Sequence, residues 1–459
     1  MLKNIIYSVL ILSVLGCSND NLKSKIKKSS KNLVIPNKKQ IEWANAEIGV
    51  LIHYDLITYE PEYIWKDDWD YNPSLSIFNP KSLNTDQWVL AAKEAGAKYA
   101  VLVAKHCVGF SLWPTKAHEY SVKNTPWKNG KGDIVGDFIK SCNKYGIKPG
   151  LYSSSSANGY LKVDNPGLVV TNDSIAQKEY NKIVETQLTE LWSNYGELFE
   201  IWFDGGVLPP EKGGADIVPI LKKYQPNAIV FQGPYNFNNL IRWVGNERGL
   251  APYPCWSTAD STTNSNGVIQ ISGLNGNPDG KYWCPGETDV PIRKNSSFQG
   301  GWFWKEGEDS KLRSLAEMQE IYYNSVGRNT NLLLGVVIND KGLVPNADVE
   351  LLKQFGNSIN EIFSTPIVEV SGKKTEFLID LKKSRKINNI VMMEDIKYGE
   401  RVRKYTIEGF SNDKWTKLCE GESIGHKRLE RLENVNASKI RIHFDESVAQ
   451  PIIKKIILY

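Results

Sequence analysis

Short runs of apolar residues recur along the chain at 48–52, 99–103, 149–152, 198–203, 228–231, 241–244 and 332–337. Most are rich in Val, Ile, Leu or aromatic residues, the pattern of strands buried on both faces of a parallel sheet. Between them the apolar positions switch to helical spacing. Thr85 can cap a helix over 86–95 that stops at Gly96. Ile134, Phe138, Ile139 and Cys142 share one face before Gly146, and 174–195 form a longer amphipathic run closed by Gly196. Repeated strand–helix units over 41–345 predict an α/β fold, a (β/α)8 barrel, with a doubly wound sheet as the alternative. The early strands are not followed by a GxGxxG or Walker A pattern, which weighs against the nucleotide-binding form of that alternative. Past residue 345 the runs are shorter and several alternate, as at 377–381, 387–393, 405–410, 439–444 and 452–459, with Gly, Asn, Asp and Ser between them. This texture predicts a β-sandwich over 346–459.

A chain of 459 residues with 41% hydrophobic and 24% charged side chains has the makings of two globular domains, and it is neither disordered nor a disulfide-stapled mini-protein. The net charge of +4, from 56 basic and 52 acidic side chains, is too small for a nucleic-acid partner to be expected. Seven of the lysines cluster between Lys23 and Lys39 among Ser and Asn, which reads as a solvated tether over 18–40. Ahead of it, Lys3 precedes an apolar run at 5–15, too short to span a bilayer but of signal-peptide proportions. The run ends in Val14-Leu15-Gly16-Cys17, which resembles a bacterial lipobox. The expectation is therefore a signal peptide over 1–17, lipidation at Cys17, and an exported bacterial lipoprotein anchored to a membrane, periplasmic or at the cell surface. Cys107, Cys142, Cys255, Cys284 and Cys419 show no CxxC spacing, so neither a zinc site nor a disulfide framework is expected.

In a barrel, residues at the C-terminal ends of the strands converge on one face. Those ends supply His53, Lys105-His106, Tyr152-Ser153, Trp202-Phe203-Asp204, Gln232, Asn246-Glu247-Arg248, Glu287 with Asp289, and Trp302-Phe303-Trp304. The set holds carboxylates and tryptophans without a metal triad or a Ser/His/Asp order. Carboxylate pairs with aromatic platforms suit sugar chemistry: one acid attacks the anomeric carbon, another protonates the leaving oxygen, and indole faces cover the C–H side of the ring. Asp204, at the mouth of a buried strand and ahead of two glycines, is the sharpest single candidate.

Several of these segments resemble the alpha-L-fucosidases of glycoside hydrolase family 29: Gly49-Val50-Leu51-Ile52-His53, Ala95-Gly96-Ala97-Lys98-Tyr99 leading to Lys105-His106, Ser111-Leu112-Trp113-Pro114-Thr115, Trp202-Phe203-Asp204-Gly205 and Arg328-Asn329. Arg242-Trp243-Val244-Gly245-Asn246-Glu247 resembles the branch acting on α-1,3/1,4-linked fucose. Glu394-Asp395-Ile396, Gly399-Glu400-Arg401-Val402 and Ile424-Gly425-His426 resemble the discoidin-like domain often appended to it. The resemblance implies a retaining exo-hydrolase without a cofactor, acting on a fucosylated oligosaccharide. Asp204 would be the nucleophile and Glu247 the acid/base, with Glu287 as runner-up. His53, His106, Tyr152, Trp202, Asp68, Arg242 and Trp302 would bind the substrate. Three departures bear on the sugar pocket. Cys107-Val108 stands where many members have His-Asp, Tyr54-Asp55 replaces an aromatic-Gly pair, and Asp68 stands before Trp69 where Glu is common. A lost donor to a substrate hydroxyl weakens discrimination, so α-L-galactose is the alternative substrate, and a carbohydrate-binding lipoprotein without turnover the alternative of another class.

Overall fold

A strand buried on both faces needs apolar side chains on each, and residues 48–53 supply them by strict alternation. Val50 and Ile52 pack outward among the residues under the helices, while Leu51 points inward with Tyr99, Val101, Val103, Phe231, Ile241 and Leu333. In the computed structural model, which describes residues 25–26 and 33–459, this pattern closes into an eight-stranded parallel barrel. Its strands are β1 (Ile48–His53), β2 (Tyr99–Lys105), β3 (Lys148–Ser153), β4 (Glu200–Trp202), β5 (Ile229–Phe231), β6 (Leu240–Trp243), β7 (Gly286–Pro291) and β8 (Thr330–Val337). They follow one another around the ring in chain order, and β8 pairs with β1 from Leu332 opposite Ile48 to Val337 opposite His53. The barrel reading holds and the doubly wound alternative falls. Cys17 and most of the Lys-rich stretch lie outside the described residues, and no described helix is long and apolar enough to cross a membrane.

Helix α1 (Lys38–Ala44) seals the N-terminal end of the barrel. Its Gln40 amide donates to the Leu240 and Trp283 carbonyls, and Asn331 of β8 donates to the Trp43 carbonyl at 2.8 Å. Helices α2 (Thr85–Glu94), α3 (Ile134–Tyr145), α4 (Ser174–Asn194), α5 (Val218–Tyr224) and α6 (Leu315–Asn324) cover the outside. The helical ring is broken on one side. Residues 232–239 join β5 to β6 directly, and residues 244–285 carry three short antiparallel strands, Thr258–Thr263, Ile269–Ser272 and Tyr282–Trp283, in place of a helix.

Helix α7 (Asn346–Ile362) packs on α2 and α6. Its Asp348 forms a wholly buried ion pair with Arg293, which follows β7. The barrel unit therefore runs to Ile362, and the boundary expected at 345 moves to the far end of this helix. Beyond it lie β9 (Val368–Gly372), β10 (Glu376–Glu394), β11 (Val402–Ser411), β12 (Lys414–Gly421), β13 (Arg428–Ser447) and β14 (Ile453–Leu458). They form one antiparallel path, β9-β14-β10-β13-β11-β12, with Lys25–Ile26 added in parallel to β13. Register shifts within the long β10–β13 pairing bend the sheet over a core of its own that includes Phe377, Ile407, Ile440 and Phe444. Polar contacts join the two domains: Glu400 accepts from the Ser257 N–H and the Asn329 amide, and Glu47 meets His426 and Lys427.

Candidate active site

Asp204 leaves β4 on a turn only glycine accommodates. Gly205 and Gly206 both have left-handed φ values, +71° and +80°, and a Cβ on Gly205 would come within 2.8 Å of the Asn165 side chain. Ser156 donates to the Asp204 carbonyl at 2.7 Å and holds this turn, so the carboxylate projects at the barrel mouth. From there an arc of contacts runs around the mouth. The Tyr152 hydroxyl donates to Asp204 Oδ2 at 3.1 Å, and the Tyr152 ring lies 5.9 Å from His106. His106 lies 5.8 Å from His53, and His53 lies 5.0 Å from the Trp302 indole. The Trp302 N–H then donates to Glu247 Oε2 at 3.0 Å. Phe303 wedges behind both imidazoles, 5.2 Å from each. Trp302 fits because β8 has glycine beside it: a Cβ on Gly335 would sit 2.4 Å from the indole.

The electrostatics of this arc separate neutral donors from acids. Burial and the neighbouring His106 hold the His53 pKa well below the ordinary imidazole value, and burial with Lys105 holds His106 at about 4. Both rings are neutral at physiological pH, and Nδ1 of each is buried without a protein partner. A neutral imidazole carries one N–H donor and one ring acceptor, so the ring edge that faces the pocket, and not the buried Nδ1, is suited to a substrate hydroxyl. Asp204 is open to solvent at the mouth, yet the surrounding protein desolvates it enough to push its pKa up, while the Tyr152 hydroxyl and the Gly205 N–H pull it back. Burial pushes the Cys107 thiol up to about 12, so it is a neutral group beside the acid. The ligand atoms of His106, Cys107 and Asp204 lie within 4.8 Å of one another, the one such trio among the described residues.

Not every residue expected at the mouth is there. Glu287 is the second residue of β7 and is wholly buried below the mouth, accepting from Tyr99 Oη at 2.7 Å and Trp202 Nε1 at 2.9 Å. A leaving group cannot reach it, so it is no runner-up for the acid/base. Asp289 is also buried, accepting from Trp243 Nε1 at 2.7 Å. Arg242 departs from the expected sugar contact as well. Its buried guanidinium is spent on the Gly273, Cys284 and Trp256 carbonyls, which pins the 244–285 excursion to the barrel. Asp68 is exposed and caps its own loop at the Asp70 N–H, 2.8 Å away. Two residues were named from the sequence without a role: Phe303, set at the mouth between two more conspicuous tryptophans, and Asp55, noted only as a departure from the family pattern, which is a buried acid that desolvation pushes up to about 8.

The sequence model of the family described as Alpha-L-fucosidase matches residues 15–361. The chain belongs to the alpha-L-fucosidase family. As a family member it is a glycoside hydrolase, and its relatives span both domains. It is 30% identical to "Alpha-L-fucosidase 1" of Arabidopsis thaliana, over 99% of this chain and 92% of the relative. A Bacteroides thetaiotaomicron protein provisionally called an alpha-L-fucosidase is similar in structure, with a TM-score of 0.86 and 38% identity, covering 93% of this chain and 99% of that one. A Ruminococcus gnavus GH29 fucosidase solved in complex with fucose gives a TM-score of 0.77 at 26% identity, covering 96% and 97%.

Proposed function

We propose that this alpha-L-fucosidase family member is a retaining exo-hydrolase that releases terminal α-1,3/1,4-linked L-fucose from oligosaccharides or glycoconjugates. The observation that carries the reading is the arc of contacts from Asp204 to Glu247, which frames one sugar between two acids and two neutral imidazoles. Asp204 attacks the anomeric carbon, and the bond from Tyr152 favours its ionised form. Glu247 protonates the departing glycosidic oxygen, then takes a proton from the water that hydrolyses the glycosyl–Asp204 ester. Two inversions return the original anomer. The Trp302 N–H aims the Glu247 carboxyl while its ring lies along the sugar's apolar side. His53 and His106, as neutral imidazoles, bind hydroxyls, with Trp202 and Tyr152 closing the floor.

The open side of the barrel supports an extended acceptor. A cavity of about 360 Å³ adjoins Gly205 and Gly206 and is lined by Gln232, Tyr235, Asn236, Ile269 and Gln270 with the acids Glu211 and Asp216, a mixture of polar groups and apolar faces suited to further sugar residues. A second reading rests on Cys107, whose thiol lies beside His106 and Asp204: a weak donor there favours α-L-galactose, which carries one more hydroxyl than fucose. The same proposal keeps Cys17 as the lipid anchor of an exported protein.

The test is release of free monosaccharide from α-1,2-, α-1,3-, α-1,4- and α-1,6-fucosylated oligosaccharides and an α-L-galactoside, with Asp204→Asn as control. Proton NMR of the first-formed anomer reports retention. Fucose from the α-1,3 and α-1,4 substrates alone is expected. L-galactose release alone favours the second reading, and binding without any turnover sinks the enzymatic one.

A further inference from the structure

Below the sugar pocket the barrel interior holds two acids that this reaction does not use. Glu200, the first residue of β4, and Glu287 of β7 are both fully buried, and their carboxyls lie within hydrogen-bonding reach of each other. The groups around them are Trp43 from α1, Tyr99 from β2, Trp202 from β4 and, further along β7, Asp289. No cation acts on either carboxyl among the described residues. Two adjoining carboxylates cannot both stay ionised under these conditions, so the pair retains a proton.

Counting donors locates that proton. Both Glu287 oxygens already accept a hydrogen bond, one from the Tyr99 hydroxyl and one from the Trp202 indole. Glu200 Oε2 accepts from the Trp43 indole at 2.8 Å, but Glu200 Oε1 is buried and receives nothing. An orphaned buried acceptor is costly, and the cost vanishes if Oε1 carries the proton and donates it to Glu287.

We propose that Glu200 and Glu287 are a proton-sharing pair of positioning residues, in which protonated Glu200 donates to ionised Glu287 and Glu287 locks the Trp202 indole as the floor of the sugar pocket. Trp202 transmits this order upward. Its ring stacks on Phe231 at 3.8 Å and 5°, lies 5.5 Å from Tyr152, and precedes Asp204 by two residues. The inference rests on the sugar-pocket reading for its activity assay but not for its spectroscopic one.

The two amide variants separate the roles. Glu200→Gln keeps a donor toward Glu287 and an acceptor for Trp43, so kcat/KM on an aryl fucoside should stay within about threefold of wild type. Glu287→Gln has a single carbonyl oxygen for two donors and turns an N–H toward another donor, so kcat/KM should fall by about 10- to 100-fold. In a Trp202→Phe background the same change should cost much less, because its partner is gone. The indole N–H resonance of Trp202, assigned by its loss in Trp202→Phe, should move in Glu287→Gln and stay in place in Glu200→Gln. Should Glu287→Gln fail to fold, Glu200→Leu removes the shared proton and should lower kcat/KM at least about tenfold, where Glu200→Gln does not. The proposal is overturned if Glu200→Gln collapses while Glu287→Gln is tolerated, if Glu287→Gln costs as much without the indole, or if Glu200→Leu is as active as wild type. If the wild type hydrolyses no fucoside, the functional reading fails instead, and the indole resonance still decides the pair.

Discussion

Replacing Tyr152 by Phe removes one hydroxyl and little else, because the ring keeps its packing beside His106 and Trp202. What is lost is the 3.1 Å bond to Asp204 Oδ2. A hydrogen bond to a charged group contributes about 1.5–3 kcal/mol, which corresponds to a drop of about 10- to 100-fold in the first chemical step. The change also acts on pH dependence, with a definite sign. Desolvation raises the Asp204 pKa and the Tyr152 bond lowers it. Without that bond the pKa rises further, so the ionised nucleophile is lost at a higher pH and the acid limb of the kcat/KM profile moves toward neutrality. The assay is kcat/KM against pH with an aryl fucoside whose good leaving group needs little help from Glu247, accompanied by a thermal melt. An acid limb that stays in place, with kcat/KM within about twofold of wild type, would refute the coupling of Tyr152 to the nucleophile.

Four further outcomes are expected. Glu247→Ala should lose about 10²- to 10⁴-fold in turnover of a poor-leaving-group fucoside and far less with an activated one, as steady-state kinetics on the two substrates would record. Gly335→Ala drives a methyl group into Trp302, so it should destabilise the fold by about 1–3 kcal/mol and raise KM as the Glu247 contact shifts, read by denaturant unfolding and by kinetics. Native Cys107, with a thiol pKa near 12, should resist iodoacetamide at pH 8, where only about one thiol in ten thousand is ionised; peptide mass spectrometry checks this. Arg293→Ala leaves Asp348 unpaired in the core and should cost about 3–5 kcal/mol in urea unfolding, whereas replacing both partners with apolar residues should cost far less.

By itself, the sequence determined the barrel, the antiparallel C-terminal domain and one side of the site. The apolar runs that make buried strands also mark where each strand ends, and the residues at those ends, His53, His106, Tyr152 and Asp204, reach the mouth because parallel strands in a closed barrel all point the same way. That logic failed where the strand itself was not apolar. In Gly286–Pro291 the inward positions are Glu287 and Asp289, so the strand went unseen and its buried acids were read as mouth residues. Local pattern also could not tell a substrate-binding Arg242 from a scaffolding one, because the carbonyls that occupy it come from residues 14, 31 and 42 positions away along the chain. The pairing of Trp302 with Glu247, the clearance at Gly335 and the ordering of the Glu200–Glu287 pair depend on atoms that only barrel closure brings together. Tertiary structure decided these, because hydrogen-bond partners and van der Waals clearance are properties of distance in space, while periodicity reports only which face of an element is buried.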